Sequence, residues 1–174
     1  VLQRKGGLST ALDSIDDGRS MNEILRVGTS AGGARAKAII AWNPKTGEVR
    51  SGQIEADDDF SYWIFKFDGV SENRDREVAD PEGYGLIEYA YYLMAVDAGI
   101  NMTESRLFRE NGRAHFMTRR FDRTTDGLKL HMQSLAAMEH FDYRQPGAYS
   151  YEQAIHTIRK LDLGMEDIEQ QFRR

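Results

Sequence analysis

The glycine-rich segment 28–37 is the part of this chain whose residue types are best suited to holding a phosphate group. It contains three glycines, Ser30 and the two cations Arg35 and Lys37. Glycines let backbone N–H groups approach a ligand closely and point the same way, which creates a nest for anionic oxygens. The spacing matches neither G-x-G-x-x-G nor a Walker A loop, since Ala38 stands where that loop needs a hydroxyl. A phosphate loop and a tight turn before a strand both stay open at this point.

A lysine and a glutamate farther along the chain could complete such a site. Lys66 is the one cation in the aromatic stretch 63–67, which predicts a strand, and Glu88 falls in a predicted helix over 84–98. A strand lysine can neutralise phosphate charge, and a helix-borne carboxylate can hold that lysine in place. Each residue also has a simpler interpretation. Lys66 could reach solvent from a sheet edge along its aliphatic stem, and Glu88 could be an exposed helix carboxylate.

Hydrophobic periodicity, capping residues and turn residues predict the elements that would position these side chains. Strands are expected over 34–42, 49–54, 60–67, 104–109 and 113–119, with turns at 43–47 and 110–112. Helices are expected over 9–17, 20–26, 84–98, 132–140, 150–161 and 165–174.

This order of elements predicts an α+β fold arranged like a protein kinase, with a small β-rich lobe followed by the start of a helical lobe. In a kinase, a glycine-rich loop, a lysine strand, a glutamate helix and a hinge follow one another in the same way. The predicted domains are an N-terminal leader over 1–27, a small lobe with the glycine-rich loop and hinge over 28–123, and the beginning of the large lobe over 124–174.

The composition is that of a globular protein with a substantial core. The 174 residues are 40% hydrophobic and 29% charged, with a net charge of −5, which argues against a general nucleic-acid binder. The absence of cysteine fits a reducing compartment, and no apolar stretch approaches the roughly 20 residues that cross a bilayer. We therefore expect a cytoplasmic protein that does not enter a membrane. The four histidines are too dispersed to indicate a metal site.

Five segments of the chain, in order, resemble the HipA toxin kinases. Because the blocks occur in the family's order from about residue 27 onward, the resemblance is more specific than the glycine-rich segment alone. The blocks are Ser30-Ala31-Gly32-Gly33-Ala34-Arg35-Ala36-Lys37, Trp63-Ile64-Phe65-Lys66-Phe67, Glu88-Tyr89-Ala90-Tyr91-Tyr92-Leu93, Arg113-Ala114-His115-Phe116-Met117-Thr118-Arg119-Arg120-Phe121-Asp122-Arg123 and His131-Met132-Gln133-Ser134-Leu135.

The resemblance implies a bacterial serine/threonine kinase of a toxin–antitoxin module. Such a kinase transfers the γ-phosphate of ATP, with Mg²⁺, to a protein substrate such as an aminoacyl-tRNA synthetase. It is restrained by a HipB-like antitoxin, through which it contacts DNA only indirectly. The resemblance also implies that Lys66 is the phosphate-binding lysine and that Ser30 is a site of inhibitory autophosphorylation. The kinase-like order of elements already gives Glu88 as the residue that positions Lys66. The implied ATP-binding loop and hinge comprise Gly32, Gly33, Ala34, Arg35, Ala36 and Lys37, and Arg119, Arg120 and Phe121.

Two departures from the family pattern affect the expected activity. Family members usually carry an N-terminal subdomain before the glycine-rich loop, where this chain has only residues 1–27. The catalytic aspartate and the Mg²⁺ ligands of the family are expected beyond Arg174, so we expect this chain to be inactive by itself. Asp122 and Arg123 are interpreted as a structural pair. Two alternatives stay open: a non-catalytic binding module that contacts an antitoxin, and a small-molecule kinase of kinase-like fold.

Overall fold

The structure, a computed structural model, describes residues 10–11, 37–53, 55–69, 82–110, 112–124 and 128–174. Within these ranges the chain forms strands and helices in an α+β arrangement. The strands are β1 (Thr10–Ala11), β2 (Lys37–Trp42), β3 (Glu48–Ser51), β4 (Ser61–Lys66), β5 (Ser105–Glu110) and β6 (Arg113–Arg119). The helices are α1 (Tyr84–Asp97), α2 (Leu135–Met138), α3 (Tyr151–Lys160) and α4 (Met165–Arg173). None of these helices is long and apolar enough to cross a membrane.

The strands form one antiparallel sheet in the order β1-β3-β2-β4-β6-β5. Both predicted hairpins are present. Asn43 Oδ1 accepts the N–H groups of Lys45 and Thr46, and Gly47 adopts φ 71°, which closes the β2–β3 turn. Gly112 adopts φ 76° between β5 and β6, as expected for a tight hairpin.

Three predicted elements differ from the structure. The helix expected over 9–17 is wrong at Thr10–Ala11, which pair with β3 as a short strand, and the rest of that segment lies outside the described residues. The strand expected over 49–54 ends at Ser51: the Gly52 N–H makes one further bond to the Ile39 carbonyl, and Gly52 and Gln53 form a turn, while Ile54 lies outside the described residues. The helix expected over 132–140 is only Leu135–Met138, since the Ser134 side chain caps its first turn. Residue propensities alone predicted longer elements than the structure has, because strand pairing and side-chain capping determine where the elements begin and end.

One face of the sheet carries the main hydrophobic core. Side chains alternate along each strand, and the register places Ile40 opposite Trp63 and Phe65 opposite Met117, so these four share a face. Each large apolar side chain buried this way stabilises the fold by about 1.5–3 kcal/mol. The buried cluster consists of Ala38, Ile40, Val49, Trp63, Phe65, Phe67 and Met117.

The described residues fall into two compact units. The first contains the sheet and the beginning of α1, up to Tyr92, together with residues 103–129. The second contains residues 93–102 and 130–174. In the second unit, Gln170 of α4 accepts the Asn101 N–H and donates to the Gly99 carbonyl, so α4 binds the segment that follows α1. Helix α3 begins with a capping box between Ser150 and Gln153.

His115 is a fully buried histidine within the first unit. Its Nδ1 accepts the backbone N–H of Asp68 at 2.9 Å, and its ring packs near the rings of Phe65, Phe67 and Phe108. Burial lowers the pKa of His115 to about 4; the Asp68 charge opposes this and the Arg113 charge adds to it. The imidazole is therefore neutral in the folded protein at neutral pH.

We predict that His115 makes the stability of this unit depend on pH in the acidic range. The unfolded chain binds a proton near pH 6.5 and the folded chain only near pH 4. Between these values the unfolded state binds more protons, so the free energy of unfolding rises with pH, by on the order of 3 kcal/mol in total. Urea denaturation from pH 4 to 7 measures this slope. His115→Phe should flatten the curve, and the exposed His140→Asn should leave it unchanged; equal slopes in all three proteins would contradict the prediction.

Candidate functional site

The structure places Lys66 and Glu88 in direct contact. Lys66 is the last residue of β4, and its Nζ lies 2.7 Å from Oε2 of Glu88 on α1. The two side chains are 34% and 27% exposed, and the lysine Nζ also lies 5.5 Å from the centre of the Phe116 ring. The pair is thus screened from bulk water on one side and accessible on the other. Two residues 22 positions apart in the chain meet because β4 ends and α1 begins at this place.

The beginning of α1 is held by a buried carboxylate. Gly83 acts as the N-cap residue, since its carbonyl accepts the N–H groups of Leu86 and Ile87 and its φ is 96°. Its own N–H donates to both carboxylate oxygens of Asp68, at 2.9 and 3.0 Å. Asp68 follows β4 closely, so one short segment supplies both Lys66 and the anchor of the glutamate helix.

A second contact brings the helix backbone directly against the sheet. Gly85 is the buried residue of α1, and a Cβ at this position would overlap the carbonyl oxygen of Ala114 in β6. Only glycine permits this approach. The close packing of α1 on β6 brings Glu88, three residues later, within reach of Lys66.

The sheet face that carries Lys66 is less buried than the opposite face. Cross-strand pairs place Lys37 opposite Lys66 and Ile39 opposite Ile64, so all four side chains lie on this face. Each of them is half-buried. The face therefore combines an apolar patch, formed by the two isoleucines, with two cations at one end. A planar apolar ring with an anionic tail fits this pattern.

The residues predicted as the hinge lie at the far end of β6. The Arg120 N–H donates to the Tyr62 carbonyl at 2.8 Å, which continues the pairing with β4, and the Phe121 side chain is 67% exposed. Arg119 is exposed on the last residue of the strand. Arg119 and Arg120 help to line a cavity of about 290 Å³, whose described lining residues include neither Lys66 nor Glu88.

Asp122 links two arginines beside this stretch. It accepts from Arg120 Nε at 2.7 Å and from Arg123 Nη1 at 2.8 Å, which confirms the structural pair predicted from the sequence. All three side chains are at most 13% exposed. The hydrogen bonds from Arg120, followed by the charges of both arginines, hold the pKa of Asp122 below its usual range despite burial. The Arg120 guanidinium is thus engaged within the protein.

The remaining predicted residues lie outside the described part of the chain, except for one. Lys37 begins β2 and sits across from Lys66. The predicted positions outside the described residues are Ser30, Gly32, Gly33, Ala34, Arg35 and Ala36. Across the described ranges, no group of three or more histidines and carboxylates is placed to hold a metal ion.

Sequence reasoning missed Asp68 and Gly85. Asp68-Gly69 opens a charged, glycine-containing stretch that reads as an ordinary loop, and Gly85 sits in a sequence of helix-compatible residues. The one available signal was Gly85 itself, because a glycine inside a helix costs up to ~1 kcal/mol relative to alanine and calls for a packing reason.

These features define an α+β protein in which an antiparallel sheet presents a lysine to a helix-borne glutamate. The comparison with protein families agrees with the resemblance found in the sequence: the family described as HipA-like C-terminal domain matches residues 29–174. The chain belongs to this HipA-like family. No curated protein and no solved structure matches the chain.

We predict that Asp122→Ala destabilises the first unit strongly. The substitution leaves two largely buried guanidinium groups without their carboxylate, which costs about 3 kcal/mol of unfolding free energy. Chemical denaturation of the wild type and of each variant measures the free energy of unfolding. Asp59→Ala is the matched control, because it removes a carboxylate whose lysine partner Lys45 is exposed, and should change stability by less than ~1 kcal/mol. Similar small losses in both variants would show that the Asp122 cluster is not buried in solution.

Proposed function

We propose that this chain is the ATP-binding portion of a HipA-like serine/threonine protein kinase. The observation that carries the proposal is the contact between Lys66 and Glu88, at 2.7 Å, on the half-buried face of the sheet. Membership of the HipA-like family supports the same assignment. In this reading the first unit, with the sheet and the beginning of α1, belongs to a kinase-like small lobe, and the second unit belongs to the helical lobe.

The charge arrangement suits the binding of a nucleotide polyphosphate. Lys66 would place its ammonium against phosphate oxygens, and Glu88 would hold the long lysine side chain in one orientation before the nucleotide arrives. A charge-assisted hydrogen bond of this kind contributes about 1.5–3 kcal/mol. Lys37, beside Lys66 on the same face, adds positive charge where the glycine-rich segment 28–37 leads into β2.

The apolar part of the face suits the nucleotide base. Ile39 and Ile64 lie side by side and are half-buried, so a planar ring could cover them and remove their remaining surface from water. The backbone after β6, from Arg120 to Phe121, would offer polar groups to the edge of the base. The Arg120 N–H is already bonded to Tyr62, so the other backbone groups of this stretch would carry that contact.

The full reaction needs groups that we do not assign to the described residues. Phosphoryl transfer requires a general base and Mg²⁺ ligands, and we assign neither role here. The proposed partners follow from the family: ATP with Mg²⁺, a protein serine or threonine as acceptor, and a HipB-like antitoxin. For this chain, nucleotide binding is the activity to test.

We predict that Lys66→Ala weakens nucleotide binding by about tenfold or more, which corresponds to ~1.4 kcal/mol. Titration with a fluorescent ATP analogue, with and without Mg²⁺, measures the dissociation constant. Lys45→Ala is the matched control, because Lys45 is a lysine paired with a different carboxylate, Asp59, and lies in the β2–β3 turn at the other end of β2 from Lys66. Equal affinities of wild type and Lys66→Ala would remove Lys66 from the site, and no binding by the wild type would overturn the proposed function.

A second prediction concerns the proposed regulatory serine. Ser30→Glu should weaken binding of the same analogue severalfold, because a negative charge in the glycine-rich segment repels the phosphates. Ser30→Gln adds the same bulk without the charge and should bind nearly as well as wild type. Gln133→Glu, which adds one negative charge at an exposed position elsewhere, controls for net charge. If Ser30→Glu and Ser30→Gln bind alike, charge at position 30 does not control binding.

A further inference from the structure

We propose that Asp68 is a positioning residue that holds the Lys66–Glu88 pair together by clamping the N-terminus of α1 to the end of β4. The role in nucleotide binding rests on the function proposed above, whereas the clamp itself stands on the geometry of the described residues. In this proposal Asp68 acts through Glu88.

Asp68 forms hydrogen bonds through both its carboxylate and its backbone N–H. Its carboxylate, on a residue only 4% exposed, accepts the Gly83 N–H with both oxygens. Its backbone N–H donates to Nδ1 of the fully buried His115 in β6. The carboxylate therefore cannot follow the helix if the helix moves, because the backbone of Asp68 is bonded to the sheet. This double attachment distinguishes Asp68 from an ordinary helix cap, which belongs to the helix it caps.

The clamp lies close enough to Glu88 to control its position. Glu88 lies five positions after Gly83, which is about 7.5 Å along a helix, and an α-helix transmits a displacement of its end as a rigid body over that distance. Lys66, the last residue of β4, lies two residues before Asp68. The lysine and the helix anchor thus come from one three-residue segment, so a shift of α1 relative to that segment separates the two charged groups.

Aliphatic side chains do little to hold this end of the helix among the described residues. Leu86 and Ile87, the first aliphatic residues of α1, are each about half exposed, whereas Tyr84 is half-buried. Gly85 provides contact with Ala114 but no side chain to bury. The polar attachment at Asp68 and the steric fit at Gly85 are therefore main contributors to the position of Glu88. Replacing the carboxylate should let the helix move without unfolding the sheet, whose core lies on the other face.

The test measures the availability of the Lys66 amine directly. Wild type, Asp68→Asn and Glu88→Gln are treated briefly with an amine-acylating reagent, and modification of each lysine is measured by mass spectrometry. Asp68→Asn keeps the shape of the side chain but removes its negative charge and replaces one of the two acceptor oxygens that face the Gly83 N–H with a donor NH₂. We expect both variants to raise the labelling rate of Lys66 severalfold, and the double variant Asp68→Asn/Glu88→Gln to equal Glu88→Gln alone. Lys45, paired with Asp59, is the internal reference and should be unchanged.

Asp97→Asn is the matched control, because it removes an exposed carboxylate from the other end of the same helix. A merely structural role for Asp68 would lower thermal stability without changing Lys66 labelling, and that result would overturn the proposal. Unchanged labelling in Glu88→Gln as well would show that the ion pair is not formed in solution, which also overturns it. Slow exchange of the Gly83 amide in the wild type gives a check that needs no variant, and fast exchange contradicts the clamp.

Nucleotide affinity separates this proposal from the one on which it rests. If the wild type binds the fluorescent ATP analogue, Asp68→Asn should weaken binding about threefold to tenfold, with no further loss when Glu88→Gln is already present. Additive losses in the double variant would mean that Asp68 does not act through Glu88. If the wild type binds no nucleotide, the proposed function fails, while the labelling of Lys66 still decides the role of Asp68.

Discussion

The position of β4 in the middle of the sheet is the constraint on which the rest of the structure depends. Strand β4 pairs with β2 on one side and β6 on the other, and its Trp63 and Phe65 are among the most deeply buried side chains. A strand held on both edges and packed on one face has a fixed register, because a shift by one residue would exchange its buried and open faces. The fixed register determines where Lys66 emerges, and Asp68 then anchors the helix that carries Glu88.

The two faces of the sheet differ in burial and in role, and buried polar residues lie near the ends of its strands. The face with Trp63 and Phe65 supplies stability through apolar burial, whereas the face with Lys66 keeps half-buried side chains available. Buried polar residues beside the sheet, notably Asp68, His115 and Asp122, cost free energy to desolvate, but each makes at least one hydrogen bond to a defined partner. The bonds of Asp68 join the segment after β4 to α1 and to His115 of β6, and those of Asp122 hold the arginines that follow β6.

Membership of the HipA-like family and the geometry of the sheet lead to the same proposal by independent routes. The family match over residues 29–174 does not depend on side-chain contacts. The contact between Lys66 and Glu88 is a geometric observation that does not depend on the family. A pair that exists before the nucleotide binds favours binding, because a lysine that must be ordered on binding loses side-chain entropy at that moment.

Local signals in the chain were enough to predict much of the fold. Alternating apolar residues predicted β2, β4 and β6, and glycine turns predicted both hairpins, because a strand period and a positive φ are encoded within a few residues. The pattern around Lys66 and Glu88 also identified the two charged residues of the candidate site. Their pairing could be stated only as a hypothesis, since they lie 22 positions apart.

Long-range contacts decided the remaining features. The strand at Thr10–Ala11 exists because β3 offers a free edge, and the shortened α2 begins where Ser134 caps it. Asp68 has the same sequence context as a solvated loop aspartate. It becomes a buried anchor because its carboxylate accepts the Gly83 N–H and its own N–H donates to His115. Which carboxylate is buried depends on residues distant in the chain, and no local periodicity contains that information.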